Sequence, residues 1–322
     1  MYKRIHVIVN PAAGKDTPIL GTLNKVFSDA GIDWDVYVTK RQGDAHRFAR
    51  EAVRAGADAV AVNGGDGTVM EVASGLMNSN VPLAILPGGT ANVMSVELAI
   101  PSDITEACAL LVSDNVATVR PVDMGEVGEH TFMLRVGMGL EAAMVENADR
   151  DLKSRVGSLA YFLSGLQALN NPQVARYLLT LDGKEIEVEG ITCMVANSGN
   201  MGTPNLSMAQ NIDISDGLLD VLVIRRGDLG ALLSLAASVM TGNEPAEPFQ
   251  HWQARDIRVV AAPIQSVQVD GEILTQTPVE IKVLPHVLKV IVPKPKIAPE
   301  SLPLRADSDV SPGLADASSA MA

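Results

Sequence analysis

The chain has 322 residues, 47% hydrophobic and 20% charged, with a formal net charge of -13. This is globular composition, long enough for about two domains that bury cores without staples. The acidic balance argues against a nucleic-acid partner, which wants a basic face, and against strong electrostatic docking on anionic membrane.

The first 120 residues alternate between two periodicities. His6–Asn10 is a short apolar run closed by Pro11, hence a buried strand, with no signal-peptide stretch before it. Thr17-Pro18 marks a helix start, and Leu20, Leu23, Val26 and Phe27 recur with helical spacing up to Gly31. A strand is expected over Asp33–Thr39, a helix from Asp44 to Gly56 and a third strand over Asp58–Asn63. A helix is then expected from Thr68, a fourth strand over Pro82–Pro87, and after the Gly88-Gly89-Thr90 turn a helix containing Asn92. Strands alternating with helices of this length imply a parallel sheet covered by helices.

After Pro121 strand-like runs dominate: HTFMLRV, RYLLTLDGKEIEVEG, TCMVANS, LLDVLVIRR, RDIRVVAA, SVQVDGEILTQ, VEIKVLP and HVLKVIVP. Asp182-Gly183 and Asp270-Gly271 sit inside alternating runs, which is the strongest short hairpin signal. Helices are expected only near 141–170 and 229–241. The more apolar of them, Leu229–Met240, is shorter than the ~20 residues that cross a bilayer. Cys108 and Cys193 have no metal spacing and fit buried thiols in a reducing cytoplasm. The fold class expected is α/β, with an αβ nucleotide-binding domain over 1–122 plus a return strand at about 280–295. A β-rich antiparallel sandwich domain is expected over 123–279, and 296–322 reads as a disordered tail.

Three glycine turns end strands of the first half: VNPAAGK (Val9–Lys15), NGGDGT (Asn63–Thr68) and PGGTAN (Pro87–Asn92). In an open parallel sheet, ligands bind at the carboxyl ends of strands. Glycines there let backbone approach a ligand, and a helix N-terminus favours anions. Gly64, Gly65 and Gly67 can thus present N–H groups to phosphate, and Thr68 can cap the helix or donate to phosphate. A bare carboxylate repels phosphate, so Asp66 makes sense there chiefly if it holds Mg²⁺, directly or through water, or a positive side chain. Each turn alone also fits an ordinary strand–helix connection, with Asp66 as a solvated loop residue.

NPAAG, GGDGT and PGGTAN are followed in order by VDMGEVGEHTFMLRVGMGLEAAM, KSRVGSLAYFLSGLQAL, IDISDGLLDVLVI and VQVDGE. This set resembles the catalytic domain of the diacylglycerol kinase and sphingosine kinase superfamily, most closely its soluble bacterial lipid kinases. The likeness covers nearly the whole chain apart from the tail. It implies a phosphofructokinase-like αβ domain against a β-rich domain, with the site in the cleft between them. It implies an ATP-dependent kinase acting on the hydroxyl of diacylglycerol or a related lipid alcohol.

By match to the family, Asn10, Pro11, Ala12, Ala13, Gly14, Thr39, Gly64, Gly65, Asp66, Gly67, Thr68, Val69, Met70 and Thr90 line ATP. Asp213, Asp216 and the Leu218 carbonyl match a Mg²⁺ site, and Asp270 matches the catalytic base. On a regular strand Glu272 falls on the same face as Asp270, and it joins Asp270 and Asp66 as a catalytic candidate, through water or metal contact. The resemblance also implies a cytoplasmic protein that touches the membrane surface transiently to reach its lipid; a homodimer is left open.

Read from the residues alone, Asp213 and Asp216 are turn residues before a strand. Asp270-Gly271 is a hairpin turn, as is Asp182-Gly183, to which no chemistry is assigned. Two positions depart from the family pattern: Met70 stands where Asn is usual, and Asn92-Val93 where Asn-Asp is usual. These leave room for an acceptor other than diacylglycerol. Two rival readings stay open: a NAD kinase-like soluble kinase, and a nucleotide-binding regulator without turnover. Arg150, Lys153 and Arg155 read as a solvated helix face, with contact to a lipid headgroup or phosphate as the alternative.

Overall fold

The computed structural model describes residues 2–14, 18–146, 173–200, 208–209, 212–225 and 250–295. Thr17, the helix expected near 229–241, most of the one expected near 141–170, the Arg150–Arg155 patch and the tail lie outside the described residues.

Strands β1 (Arg4–Val9), β2 (Asp33–Val38), β3 (Ala59–Gly64) and β4 (Leu83–Pro87) are parallel neighbours in the order β2-β1-β3-β4. From Ile5 to Val9 every residue of β1 is buried. A strand that buries both faces needs an apolar run without alternation, which is what the sequence supplies. Helices α1 (Ile19–Asp29), α2 (Asp44–Arg54), α3 (Asp66–Leu76) and α5 (Ile104–Val112) cover the sheet, and short α4 (Val93–Glu97) follows β4. Helix α1 buries Ile19, Leu23 and Phe27, while Leu20 faces solvent at 54% exposure. Each such fully buried side chain contributes about 1.5–3 kcal/mol.

The sheet does not stop at β4. Strand β16 (Val279–Pro293) meets β4 in parallel at Val290–Leu83, and runs antiparallel to β5 (Ala117–Val127) and β13 (Asp256–Ala262). Beyond β13 come β8 (Ala175–Leu181) and β9 (Lys184–Gly190), so ten strands form one sheet. A second sheet is antiparallel throughout, in the order β12 (Gln250–Ala254), β11 (Leu219–Ile224), β10 (Thr192–Ala196), β7 (Arg135–Gly139), β14 (Ser266–Val269), β15 (Glu272–Gln276). Tyr177, Leu179, Val259 and Ile281 of the large sheet share a core with Val136, Val195, Val221 and Val267 of the small one. The fold is therefore α/β with a parallel core and a separate antiparallel sheet, as expected.

Several elements differ from the sequence reading. The helix expected from Thr68 starts at Asp66, because extended Gly65 (φ -85, ψ 178) already serves as N-cap. Asn92 is not helical but precedes α4 in the left-handed region (φ 48). VEIKVLP and HVLKVIVP are one strand, β16, whose register shifts between Leu284 and Leu288 around left-handed His286. HTFMLRV is two strands: β6 (His130–Phe132) pairs with β5 in the large sheet, while β7 belongs to the small one. The chain changes sheets at Met133–Leu134, so those two amides face away from the ladders. Strands β5 and β12 and helix α5 were not read from the sequence at all.

Phe132, fully buried just before this crossing, packs the tip of its ring against Gly125 of β5. A Cβ on Gly125 would sit 2.0 Å from the Phe132 ring, which has no room to swing away. Gly125→Ala is therefore expected to destabilise the protein by about 1–3 kcal/mol. Urea unfolding should show a lower midpoint at an unchanged slope.

Candidate active site

The three glycine turns lie at the carboxyl ends of β1, β3 and β4 and interlock. The Asn10 N–H donates to the Asn63 carbonyl (2.9 Å), and its side-chain amide donates to Thr68 Oγ1 (2.8 Å). Its Oδ1 accepts from the Ala12 N–H at 3.0 Å, which folds NPAAG back on itself. Gly14 has φ +71, and a Cβ there would lie 1.7 Å from the Gly88 carbonyl oxygen. A Cβ on Gly89 would lie 2.6 Å from the Gly65 Cα. Backbone meets backbone at both places, so only hydrogen fits. Asn92 braces the third turn, accepting from the Gly89 N–H and donating to the Gly89 carbonyl, both at 2.8 Å.

Asp66 opens α3, and its Oδ1 accepts from the Met94 N–H of α4 at 3.2 Å. It thus ties the second turn to the helix that follows the third. Thr39 closes β2, its N–H donating to the Val9 carbonyl at 2.9 Å.

A cavity of about 1020 Å³ opens beside these turns. One wall carries Asn10, Pro11, Ala12, Thr39, Gly67, Thr68 and Met70. The facing wall comes from the second half of the chain: Glu129, His130 and Thr131 before and within β6, and Val269, Asp270, Glu272, Ile273 and Leu274 of the β14–β15 hairpin. Ala13, Gly14, Gly64, Gly65, Asp66 and Thr90 are not in this lining. Val69 is 3% exposed and its side chain belongs to the αβ core. Asp213, Asp216 and Leu218 lie elsewhere, on the loop before β11.

Sequence reasoning missed Lys40, Arg41, His46, Glu71, Glu129 and His130, all of which reach the cavity. The first three follow Thr39 off the carboxyl end of β2, so the strand-end rule that picked out the glycine turns applied to them too. Glu71 also accepts from the Gly43 and Ala45 N–H groups (3.0 and 3.1 Å), closing the N-terminus of α2.

Asp270 (φ 46) and Gly271 (φ 93) form the two-residue turn of the β14–β15 hairpin. The Asp270 carboxylate docks on the sheet crossing described above. Its Oδ2 accepts from the Met133 N–H (3.0 Å), and its Oδ1 accepts from the Leu134 and Arg135 N–H groups (3.1 and 2.9 Å). Burial pushes its carboxyl up to about 6, against these amides and the Arg135 guanidinium, which pull it down. A carboxylate has about four acceptor sites, so one remains.

Asp182 makes a useful comparison. It sits at the same place in the β8–β9 hairpin (φ 48), and its Oδ1 accepts from the Arg255 and Asp256 N–H groups at 3.0 and 2.9 Å. Anchoring to a neighbouring strand is thus common to both Asp-Gly turns. Burial and the cavity are what set Asp270 apart.

Comparison with known proteins agrees with this arrangement. Residues 4–127 match the family described as Diacylglycerol kinase catalytic domain, and residues 135–292 match the YegS C-terminal NAD kinase beta sandwich-like domain. A Pseudomonas aeruginosa protein named "Probable lipid kinase YegS-like" is 33% identical over 82% of this chain and 86% of its own. The chain belongs to the diacylglycerol kinase and YegS-like lipid kinase family. The diacylglycerol kinase of Bacillus subtilis is 28% identical, over 91% of this chain and 98% of that one. A crystal structure of a diacylglycerol kinase from Bacillus anthracis str. Sterne superimposes with TM-score 0.76 at 29% identity, covering 90% of this chain and 97% of that one. Kinase chemistry implies use of ATP. Among the described residues, no helix of this lipid kinase is long and apolar enough to cross a membrane.

The family also raises the question of Mg²⁺ on the loop before β11. Asp213 Oδ1 accepts from the Ser215 N–H (3.0 Å) and pairs with the Arg120 guanidinium. Asp216 accepts from the Leu218 N–H (2.9 Å) and from Gln253 (3.3 Å). Burial raises the Asp216 carboxyl above its ordinary value, opposed by the Leu218 amide and reinforced by the charges of Asp213 and Asp123. Hard oxygens crowded with like charge fit a hard cation. Among the described residues no three His, Cys, Asp or Glu side chains gather to hold a metal. A cation here would rest on two carboxylates, the Leu218 carbonyl and water, and Arg120 already supplies positive charge.

Proposed function

We infer that the protein transfers the γ-phosphate of ATP to a hydroxyl of diacylglycerol or a related lipid alcohol, with Asp270 as general base. The observation that carries this reading is the single cavity shared by Asp270 and the turn residues Asn10, Gly67 and Thr68. Phosphoryl transfer asks the protein mainly for positioning and charge stabilisation. The N-terminus of α3 favours the negative charge of phosphate, and Lys40 and Arg41 add positive charge at the same wall. An alcohol is a poor nucleophile until its proton has an acceptor in reach. Asp270, with a value near 6, is ionised at neutral pH and still basic enough to serve. Glu272 stands two residues on in the same cavity wall, where it can hold water or the acceptor hydroxyl.

Val38 and Ile273 are 46% and 40% exposed at this cavity, with Leu274 and Met70 beside them. They offer an acyl chain an apolar path from a membrane surface, touched transiently, to Asp270. Residues 1–122 with the end of β16 would hold nucleotide, and 123–279 the lipid. Mg²⁺, when bound, would offset phosphate charge; Asp213, Asp216 and the Leu218 carbonyl are the residues to hold it structurally, with Asp66 organising water or metal nearer the phosphates.

The test is incubation with labelled ATP, Mg²⁺ and a lipid panel, read as labelled phospholipid. Phosphorylation of NAD with none of any lipid would move the activity to the NAD kinases. ATP binding without turnover on any acceptor would leave a nucleotide-binding regulator. A separate expectation concerns the acidic loop. Arg120→Ala removes the cation beside Asp213, so Mg²⁺ should raise Tm more in the variant than in the wild type. Melts with Mg²⁺ and with EDTA read this; a shift no larger in the variant than in the wild type would mean that Arg120 does not compete with a cation at this loop.

A further inference from the structure

Helix α4 joins the two walls of the cavity. Its first turn is held by Asp66 of the second glycine turn, through the Met94 N–H (3.2 Å). Its last residue, Glu97, reaches into the other half of the molecule. Glu97 Oε2 accepts from the Ser198 hydroxyl at 2.7 Å and from the Asn200 N–H at 2.8 Å. Ser198 is fully buried, and Glu97 and Asn200 are half-buried.

The segment that Glu97 grips also supports the sheet crossing under Asp270. The Asn197 and Ser198 N–H groups both donate to the Leu134 carbonyl, at 2.9 and 3.1 Å. The Asn197 side-chain amide donates to the Met133 and Asp123 carbonyls, each at 2.9 Å. On their other side, Met133 and Leu134 point their N–H groups at the Asp270 carboxylate. A continuous run of hydrogen bonds and one five-residue helix therefore links Asp66 at the glycine turns to Asp270 on the opposite wall.

We propose that Glu97 is a positioning residue: through Ser198 and Asn200 it fixes the Met133–Arg135 amides, and so holds the Asp270 carboxylate in line with the glycine turns. This rests on the reading of Asp270 as the base. A carboxylate is suited to the task because it makes stronger bonds than a neutral acceptor and takes two donors on one oxygen. The glycine turns do not depend on Glu97, since Asn10–Thr68 and Gly14–Gly88 make their contacts without it. Loss of Glu97 should therefore disturb the transfer step and spare nucleotide binding.

The test is steady-state kinetics of lipid phosphorylation by the full chain, with Glu97→Ala, Glu97→Gln, Ser198→Ala and Asp270→Asn compared to wild type. Misplacing a reacting group by about 1 Å costs about 100-fold, so Glu97→Ala should lose about 10- to 100-fold in kcat. Its KM for ATP should stay within about twofold. Glu97→Gln keeps an acceptor oxygen and should recover most of the rate. Ser198→Ala removes one of the two bonds and should lose kcat several-fold at constant KM. If Glu97→Ala unfolds at assay temperature, Ser198→Ala and Glu97→Gln decide. The inference falls if Asp270→Asn is inactive while Glu97→Ala or Ser198→Ala, folded by near-UV circular dichroism, keeps wild-type kcat. It falls too if KM for ATP rises as much as kcat drops, or if Gln restores no more than Ala does. Full activity in Asp270→Asn would instead remove the reading of Asp270 on which the inference stands.

Discussion

Asp270→Asn is expected to slow ATP-dependent lipid phosphorylation by about 10²–10⁴-fold, the usual contribution of a general base. The variant should fold. Its amide oxygen can still accept from Leu134 and Arg135, and a costly buried charge is gone. The one new conflict is an amide donor facing the Met133 N–H, a loss of about 1–3 kcal/mol. Asp182→Asn is the matched control. It alters the same kind of turn with the same kind of anchoring, and should leave the rate unchanged. The pH profile gives a second measurement. Burial raises the Asp270 carboxyl to about 6, and only the ionised form can take a proton. The rate should thus fall as pH drops through about 6 and level off above it. This acid limb should vanish from whatever residual rate Asp270→Asn retains. A wild-type profile flat from pH 5 to 8 would show that the group in the cavity is not the one whose proton matters.

Gly14→Ala should weaken ATP binding at least tenfold, although Gly14 is not in the cavity lining. Gly14 sits at φ +71, where an L side chain costs about 1–2 kcal/mol. The larger effect is steric. The new Cβ would stand 1.7 Å from the Gly88 carbonyl oxygen, and both partners are backbone. The first and third glycine turns would have to separate, carrying Gly89 away from Gly65 and breaking the face proposed to hold phosphate. Calorimetry should show at least a tenfold loss in ATP affinity, about 1.4 kcal/mol, with a lower Tm. Gly21→Ala is the control, since nothing lies within 4 Å of its Cβ position. On an exposed helix face that change should be neutral or stabilise by up to about 1 kcal/mol. Wild-type ATP affinity in Gly14→Ala would mean that the interlocked turns are packing and not a cradle.

The αβ half was legible because its signals are local. Unbroken apolar runs such as Ile5–Val9 mean strands buried on both faces, and glycine turns after them mean close backbone approach. Asp-Gly pairs likewise announced both hairpins. What the sequence could not show is pairing between distant segments. Nothing in HTFMLRV says that it breaks between two sheets, and the break is what creates the amides for Asp270, 135 to 137 residues away. Nothing in GGDGT says that Asp66 reaches Met94, or that Glu97 at the far end of α4 reaches Ser198. Val69 was assigned to the nucleotide because it lies inside a motif, yet helical periodicity turns its side chain to the core. Motifs mark stretches of backbone; which side chains in them face a ligand depends on the phase of the element.

Strand β16 has a further consequence. Its fifteen residues serve two interiors at once: Val279 and Ile281 fill the sandwich core, while Leu288, Val290, Ile291 and Val292 fill the αβ core. Neither half can melt without uncovering part of the other. The two walls of the cavity therefore share one fate on heating, and calorimetry should record a single endotherm. Any change in the gap between Asp270 and the glycine turns has to bend β16 and β5 together, at the register shift between Leu284 and Leu288 where their ladder is already interrupted.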